Sequence, residues 1–128
     1  MSSSIDIPIK FFPRNWFVTW DVSSQCYNNG KIQIISGENV LQTIKKTDPC
    51  SRIQFLGNGY AHIPSEEMKI VVSINEGFGP IYERHQANMI LNSNGETIGI
   101  MAGMYVEIPC DEEINGFLIS LTGWAKEG

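Results

Sequence analysis

The chain has 128 residues, which is enough for one domain with a hydrophobic core and too few for two. Its formal charge of −5, with Lys and Arg scattered, argues against a surface that binds nucleic acid or anionic membranes. No apolar run approaches the ~18 residues of a membrane span, and the N-terminus lacks the pattern of a secretory signal. We therefore expect one domain over residues 1–128, cytoplasmic as synthesised; release without a classical signal stays open.

Apolar residues recur at every second position along most of the chain, which is the period of β-strands. The first clear case is the set Trp16, Val18, Trp20 and Val22. Turns rich in Asn and Gly separate these runs, among them residues 57–59 and 92–95. The predicted strands are 5–11, 14–22, 31–36, 39–45, 52–56, 59–63, 68–75, 82–91, 97–106 and 116–124. This spacing predicts an all-β fold, an antiparallel sandwich of about nine strands.

Residues 81–91 contain helix formers but lack a cap and an apolar stripe, so an extended structure fits them equally well. For Trp16 and Trp20 the alternation favours core packing, with a sugar-stacking surface as the alternative. Trp124, near the chain end, is a candidate contact between subunits.

The three cysteines are far apart in sequence and form no CxxC motif. Reduced thiols are the favoured interpretation, and a Cys26–Cys50 disulfide is the alternative. His62 and His85 have no second ligand at zinc spacing, and no nucleophile elbow is present. The sequence therefore does not predict an enzyme.

The segment Glu107–Gly116 concentrates four carboxylates and an amide between two strand-like runs. Calcium prefers such oxygen ligands, so the segment could form a hard-cation site. A solvated acidic turn is the plainer interpretation of the same composition.

These segments together resemble a known family. The second half reads KIVVSINEG, QANMILNSNGETIGIM and EIPCDEEINGFLISLTGW, and the first half contains RNWFVTWDVSSQ and KIQIISGENVLQT. The pattern is similar to that of the calcium-dependent fucose- and mannose-binding bacterial lectins, whose acidic loop is spelled E-D-G-T-D-N-D-Y-N-D. The resemblance covers nearly the whole chain and implies a small, non-enzymatic sugar-binding sandwich.

In that family the acidic loop holds two adjacent calcium ions, and sugar hydroxyls bind both ions directly. The resemblance implies a set of candidate metal ligands, the last borrowed from a partner subunit: Glu107, Asp111, Glu113, Asn115 and Gly128. It also implies a set of candidate sugar-binding residues: Asp111, Glu113, Asn115, Ser23, Ser24 and Gln25. The last three fall where the family tunes its choice of sugar.

Departures from the family at two loop positions and in the C-terminal tail bear on the metal. Ile108 and Gly116 replace aspartates, and Lys126 in the tail would oppose a nearby cation. Two calcium ions need many anionic oxygens to offset their mutual repulsion and lost hydration. We therefore expect a calcium site that is altered or lost, with a single weak ion as the alternative.

The sequence predicts a carbohydrate-binding, lectin-like protein that forms a homodimer or homotetramer, since oligomerisation raises the avidity of shallow sites. The alternative is a protein-interaction or self-assembly module that keeps the lectin sandwich without binding sugar.

Overall fold

The computed structural model describes residues 2–13, 15–62, 67–75, 80–108 and 114–125. Over these ranges the chain forms nine β-strands. The strands are β1 (Ser2–Ile9), β2 (Phe17–Gln25), β3 (Gly30–Ser36), β4 (Asn39–Lys46), β5 (Gln54–His62), β6 (Met68–Asn75), β7 (Tyr82–Leu91), β8 (Thr97–Glu107) and β9 (Gly116–Trp124). None of the described residues forms a helix long and apolar enough to cross a membrane.

The strands make two antiparallel sheets that face each other across the core. One sheet has four strands in the order β1-β6-β3-β4, and the other has five in the order β5-β2-β9-β8-β7. The predicted all-β sandwich is therefore confirmed. The region 81–91, for which helix and strand were both open, is extended, and all of it except Ile81 forms β7.

Two-residue alternation decides which side chains enter the core. In β2, Val18, Trp20 and Val22 are buried while the residues between them are half-buried or exposed. Strands β3, β6, β8 and β9 alternate in the same way, and their inward residues form one continuous apolar cluster. Burying a Val, Ile or Phe side chain contributes about 1.5–3 kcal/mol relative to exposure, so this alternation is the main source of stability.

The turn predicted at residues 57–59 is wrong. This segment lies inside β5, and the predicted strands 52–56 and 59–63 are one strand that pairs with β2. Glycine is needed at position 59 because a Cβ there would meet the Gln42 side chain and lie 2.7 Å from Trp20 Nε1. The Trp20 Nε1–H donates to Gln42 Oε1 at 2.7 Å across this space. The glycine therefore permits a close side-chain approach rather than a reversal of the chain.

Several boundaries differ from the prediction. Strand β1 begins at Ser2 instead of residue 5, and β2 runs to Gln25 instead of ending at residue 22. Because β2 is extended to Gln25, the candidate rim residues are held in a paired strand. Trp20 is 2% exposed, as core packing requires, and Trp16 is half-buried. Cys26 and Cys50 are not disulfide-bonded, and Cys110 lies outside the described residues.

The buried Lys46 connects two loops at the edge of the sandwich through hydrogen bonds. Lys46 is 2% exposed, and its Nζ donates to Tyr27 O at 3.2 Å, Asn29 Oδ1 at 3.3 Å and Asp48 O at 2.6 Å. An ammonium has three donors, and all three are used here. Burial without this satisfaction would be costly, so the contacts explain how a lysine is accommodated.

Candidate functional site

Of the site residues named from the sequence, those that the structure describes lie at one end of the five-stranded sheet. Gln25 lies opposite Gly116, and Gly116 lies opposite Glu107, so β2, β9 and β8 end in one row. Tyr82 continues that row on β7. The pairing of β2 with β9 thus brings the first strand of the candidate site to the base of the acidic loop.

Most of the acidic residues of that loop fall in a part of the chain that the structure does not describe. Asp111 and Glu113, together with Glu112, lie outside the described residues, as does Gly128. Among the residues that the structure does describe, no three His, Cys, Asp or Glu side chains come together as a possible metal site. The ligand roles of Asp111, Glu113 and Gly128 stay predictions.

Asn115 closes the base of the loop. Its Nδ2 donates to Ile108 O at 2.8 Å, its backbone N–H donates to Tyr105 Oη at 2.8 Å, and its carbonyl accepts from the Ile108 N–H at 2.8 Å. Asn115 is 7% exposed, so these bonds are made largely out of water. None of them uses Asn115 Oδ1, which is the atom that a cation or a sugar hydroxyl would contact.

The two positions that depart from the family are fitted to this structure. Ile108 is 5% exposed and belongs to the hydrophobic core, where a carboxylate would be strongly disfavoured. Gly116 packs against β8, and a Cβ at this position would meet the carbonyl oxygen of Val106. Neither position can hold a carboxylate side chain without rearrangement. Of the candidate metal ligands, the structure describes Glu107 and Asn115.

A cavity of about 370 Å³ opens beside this row of strand ends. Its lining residues are Ser23, Ser24, Gln25, Ile53, Tyr105, Ile114, Gly116 and Leu118. Ser23 and Gln25 belong to the half-buried set of β2, whereas Ser24 is 2% exposed and alternates onto the core side. The Ser24 hydroxyl has no hydrogen-bond partner among the described residues, and because Ser24 also lines the cavity its role as a sugar contact stays a prediction.

Four residues of this cavity were missed by the sequence reasoning. Tyr105 and Leu118 face each other across β8 and β9 on the outer face, and Leu118 also pairs with Ser23. Ile53 and Ile114 approach from the loops. Tyr105 and Leu118 could have been found from alternation, since they fall between buried neighbours. Ile114 carries no such signal because it lies outside the strands. Ile53 was included in the predicted strand 52–56, but in the structure it precedes β5.

The thiol of Cys50, which is close to Ile53 in the sequence, accepts two hydrogen bonds. The Arg52 side-chain Nε–H and backbone N–H both donate to Cys50 Sγ, each at 3.4 Å. These hydrogen bonds, with that from the side chain largest, lower the pKa of the Cys50 thiol. Cys50 is half-buried, whereas Cys26 is buried.

No family model and no curated protein sequence matches this chain. Among solved structures, the C-terminal domain of the BC2L-C lectin from Burkholderia cenocepacia matches with a TM-score of 0.69 and 14% identity, covering 99% of this chain and 100% of that one. The chain has the fold of a bacterial lectin.

Two further bacterial lectins have the same fold. A Ralstonia solanacearum high-affinity mannose-binding lectin matches with a TM-score of 0.63 and 20% identity, over 95% of this chain and 96% of that one. The Chromobacterium violaceum lectin CV2L, solved in complex with alpha-methyl-fucoside, has a TM-score of 0.63 and 11% identity over the same shares. The lectin-type sandwich that the sequence resemblance implied is confirmed.

Proposed function

We propose that this protein binds carbohydrate, in the cavity at the end of the five-stranded sheet, without a paired calcium site. The observation that carries the proposal is convergence: Ser23 and Gln25 reach the same cavity as the base of the acidic loop, although they are far apart in sequence. The cavity of about 370 Å³ falls within the range of about 300–1,000 Å³ that is typical of small-ligand sites.

The chemistry of the lining suits a sugar. Tyr105 and Leu118 provide apolar surface for the C–H face of a sugar ring, and Ser23 and Gln25 provide hydroxyl and amide groups for its hydroxyls. We propose that Asp111, Glu113 and Asn115 Oδ1 complete the polar contacts. The lectin fold of the neighbouring structures supports this assignment, and no reaction is required of the residues.

The proposal that the paired calcium site is lost rests on where two residues of the acidic loop lie. Ile108 is part of the core and Gly116 has no room for a side chain, so two of the family's acids cannot be present. With those acids absent, we propose that sugar binding is independent of calcium or uses one weak ion. We also propose that the protein acts as a homodimer or homotetramer, because shallow single sites gain from avidity.

A glycan array, run with calcium and again with a chelator, tests this function. We expect binding to a limited set of glycans in both runs. Leu118→Ala should weaken binding because it removes apolar surface from the cavity, whereas the matched control Leu41→Ala alters a similarly exposed leucine on the other sheet. Silence of the wild type in both runs, or equal loss in both variants, would contradict the proposal.

A second function is supported by a different observation. Phe55, Ser23 and Leu118 lie side by side across β5, β2 and β9, and Phe55 is 66% exposed. Ile53, at 75% exposure, adds to this apolar surface. Exposed apolar patches often mark protein interaction sites. A silent array, together with loss of a protein partner in Phe55→Ala, would favour the interaction module over the lectin.

A further inference from the structure

A second, larger cavity lies on the outer face of the five-stranded sheet. It has a volume of about 670 Å³ and is lined by residues of strands β7, β8 and β9. It shares Tyr105 and Leu118 with the cavity at the end of the sheet. The two cavities therefore meet on one face and form a continuous groove.

A glycine forms the floor of this outer-face cavity. Gly103 is exposed between the buried Ala102 and Met104, and no heavy atom beyond its chain neighbours lies within 4 Å of a Cβ built there. Gln86 lies opposite Gly103 on β7, and Ser120 lies opposite it on β9. The missing side chain therefore leaves a depression between two polar neighbours.

The lining of the outer-face cavity is chemically mixed. Its amide and hydroxyl side chains are those of Gln86, Asn88, Ser120 and Thr122. Met101, Tyr105 and Leu118 add apolar surface. Amides and hydroxyls donate and accept hydrogen bonds as sugar hydroxyls do, and apolar side chains pack against the C–H faces of sugar rings. The lining therefore suits a further sugar unit.

Arg84 gives the outer-face cavity a positive charge. It lies opposite Tyr105, which lies opposite Leu118, so Arg84 extends the row that begins at Ser23 in the end cavity. At about 4.8 Å per strand, Arg84 is roughly 14 Å from Ser23. Arg84 is exposed, and among the residues that the structure describes no carboxylate lies within ion-pair distance of it. Its guanidinium is therefore available to an anionic ligand.

The carboxylates of this sheet lie away from the depression. Its described strands place two of them on the outer face, Asp21 and Glu107. At about 4.8 Å per strand and 3.4 Å per residue these are roughly 10 and 14 Å from the depression, beyond a Debye length of about 8 Å. Glu83 faces the other side, where its Oε2 contacts His85 Nδ1 at 2.8 Å and His85 packs against Phe11. An anion in the depression is therefore only weakly repelled by these acids.

We propose that the groove binds an acidic oligosaccharide, with one sugar in the end cavity and a linked uronic acid, a sugar that carries a carboxylate, over Gly103. The planar guanidinium of Arg84 matches a carboxylate through two N–H donors. Gln86 and Ser120 provide hydrogen-bonding groups for the hydroxyls of the same unit. The inference rests on the proposed carbohydrate binding and adds the chemical class of the ligand.

Titrations of the full chain followed by two-dimensional amide NMR test this inference, because they report both weak affinities and the residues that are affected. The probes are disaccharides in which mannose or fucose is linked to glucuronic acid, and their counterparts with glucose in its place. We expect the acidic probes to bind at least about threefold more tightly than the neutral ones, since an exposed ion pair is partly screened. The amide signals of Gly103 and Ser120 should shift together with those of Ser23 and Gln25.

Three variants isolate the charge and the space. Arg84→Gln should remove the preference for the acidic probes, whereas the matched control Lys31→Gln removes an exposed positive charge from the other sheet and should keep it. High salt should reduce the preference of the wild type. Gly103→Leu fills the depression and should also remove the preference, and it replaces Arg84→Gln if the latter does not fold.

Equal affinities for the acidic and neutral probes overturn this inference, as do a preference that survives Arg84→Gln and unshifted signals of Gly103 and Ser120. In each of these cases, shifts at Ser23 and Gln25 would leave the proposed function standing. If no signal shifts with any probe, this inference is overturned, and the glycan array decides the proposed function separately.

Discussion

Gly116→Ala should destabilise the protein, although it adds a single methyl group. A Cβ at this position would meet Val106 O and would lie 3.0 Å from the Val106 carbonyl carbon and 3.1 Å from Glu107 Cα. All three are main-chain atoms of the paired strand β8, so none can turn aside as a flexible side chain would. The contact can be relieved only by moving β8 and β9 apart where the candidate site begins.

The magnitude follows from overpacking, which costs about 1–3 kcal/mol in a well-packed structure. With an unfolding entropy of about 2.1 cal/mol/K per residue, each kcal/mol lowers the Tm of a 128-residue chain by about 4 °C. Scanning calorimetry should therefore record a Tm about 4–12 °C below the wild type. Gly103→Ala is the matched control on β8, because no heavy atom lies within 4 Å of its added Cβ.

The control should leave Tm unchanged or raise it by up to about 4 °C, since alanine restricts the unfolded chain. Gly116→Asp carries the same steric conflict, so restoring the family's acid should lower Tm and give no calcium-dependent recovery. A Gly116→Ala protein that melts with the wild type would refute the steric argument. A rise of several degrees on adding calcium to Gly116→Asp would refute the proposal that the site has lost its metal for structural reasons.

Three further predictions concern single side chains. Lys46→Met should lower the free energy of unfolding by about 1–3 kcal/mol in urea titrations, because it leaves buried acceptors unsatisfied, whereas the exposed Lys45→Met should not. Arg52→Ala should shift the pH profile of Cys50 alkylation, mapped by mass spectrometry, to higher pH; an unchanged profile would remove the assigned cause. Asn115→Ala should cost about 1–2 kcal/mol through the lost loop-base hydrogen bond, and a melting temperature equal to the wild type would show that the bond is dispensable.

Much of the fold could be predicted from the sequence because alternation is a local property. Val18, Trp20 and Val22 enter the core as their spacing indicates, and the turn at 92–95 forms with Asn92 Oδ1 accepting from two backbone N–H groups. The exception is the glycine pair of β5. A Gly-Asn-Gly segment suits a turn equally well, and the decisive contact comes from Trp20 and Gln42 on other strands.

The candidate site was predictable only in part. The acidic loop and Ser23–Gln25 stand out in sequence. Alternation places Tyr105 and Leu118 on an outward face, but that they line one cavity depends on the pairing of β8, β9 and β2. Alternation also separates the outward Ser23 and Gln25 from the buried Ser24, a distinction that depends on β2 continuing to Gln25. The extension of the strand by three residues thus sets which of these side chains face outward.

The sequence by itself determined an all-β sandwich, because the order of apolar and polar residues specifies which faces must be buried, while the lectin type was implied by the family resemblance. It also marked Ile108 and Gly116 as departures from an acidic ligand set. Only the tertiary structure decided what those departures mean, since burial and steric room depend on neighbours from other strands. Ile108 lies in the core and Gly116 lies against Val106, so the loss of these acids is part of how the sheets pack.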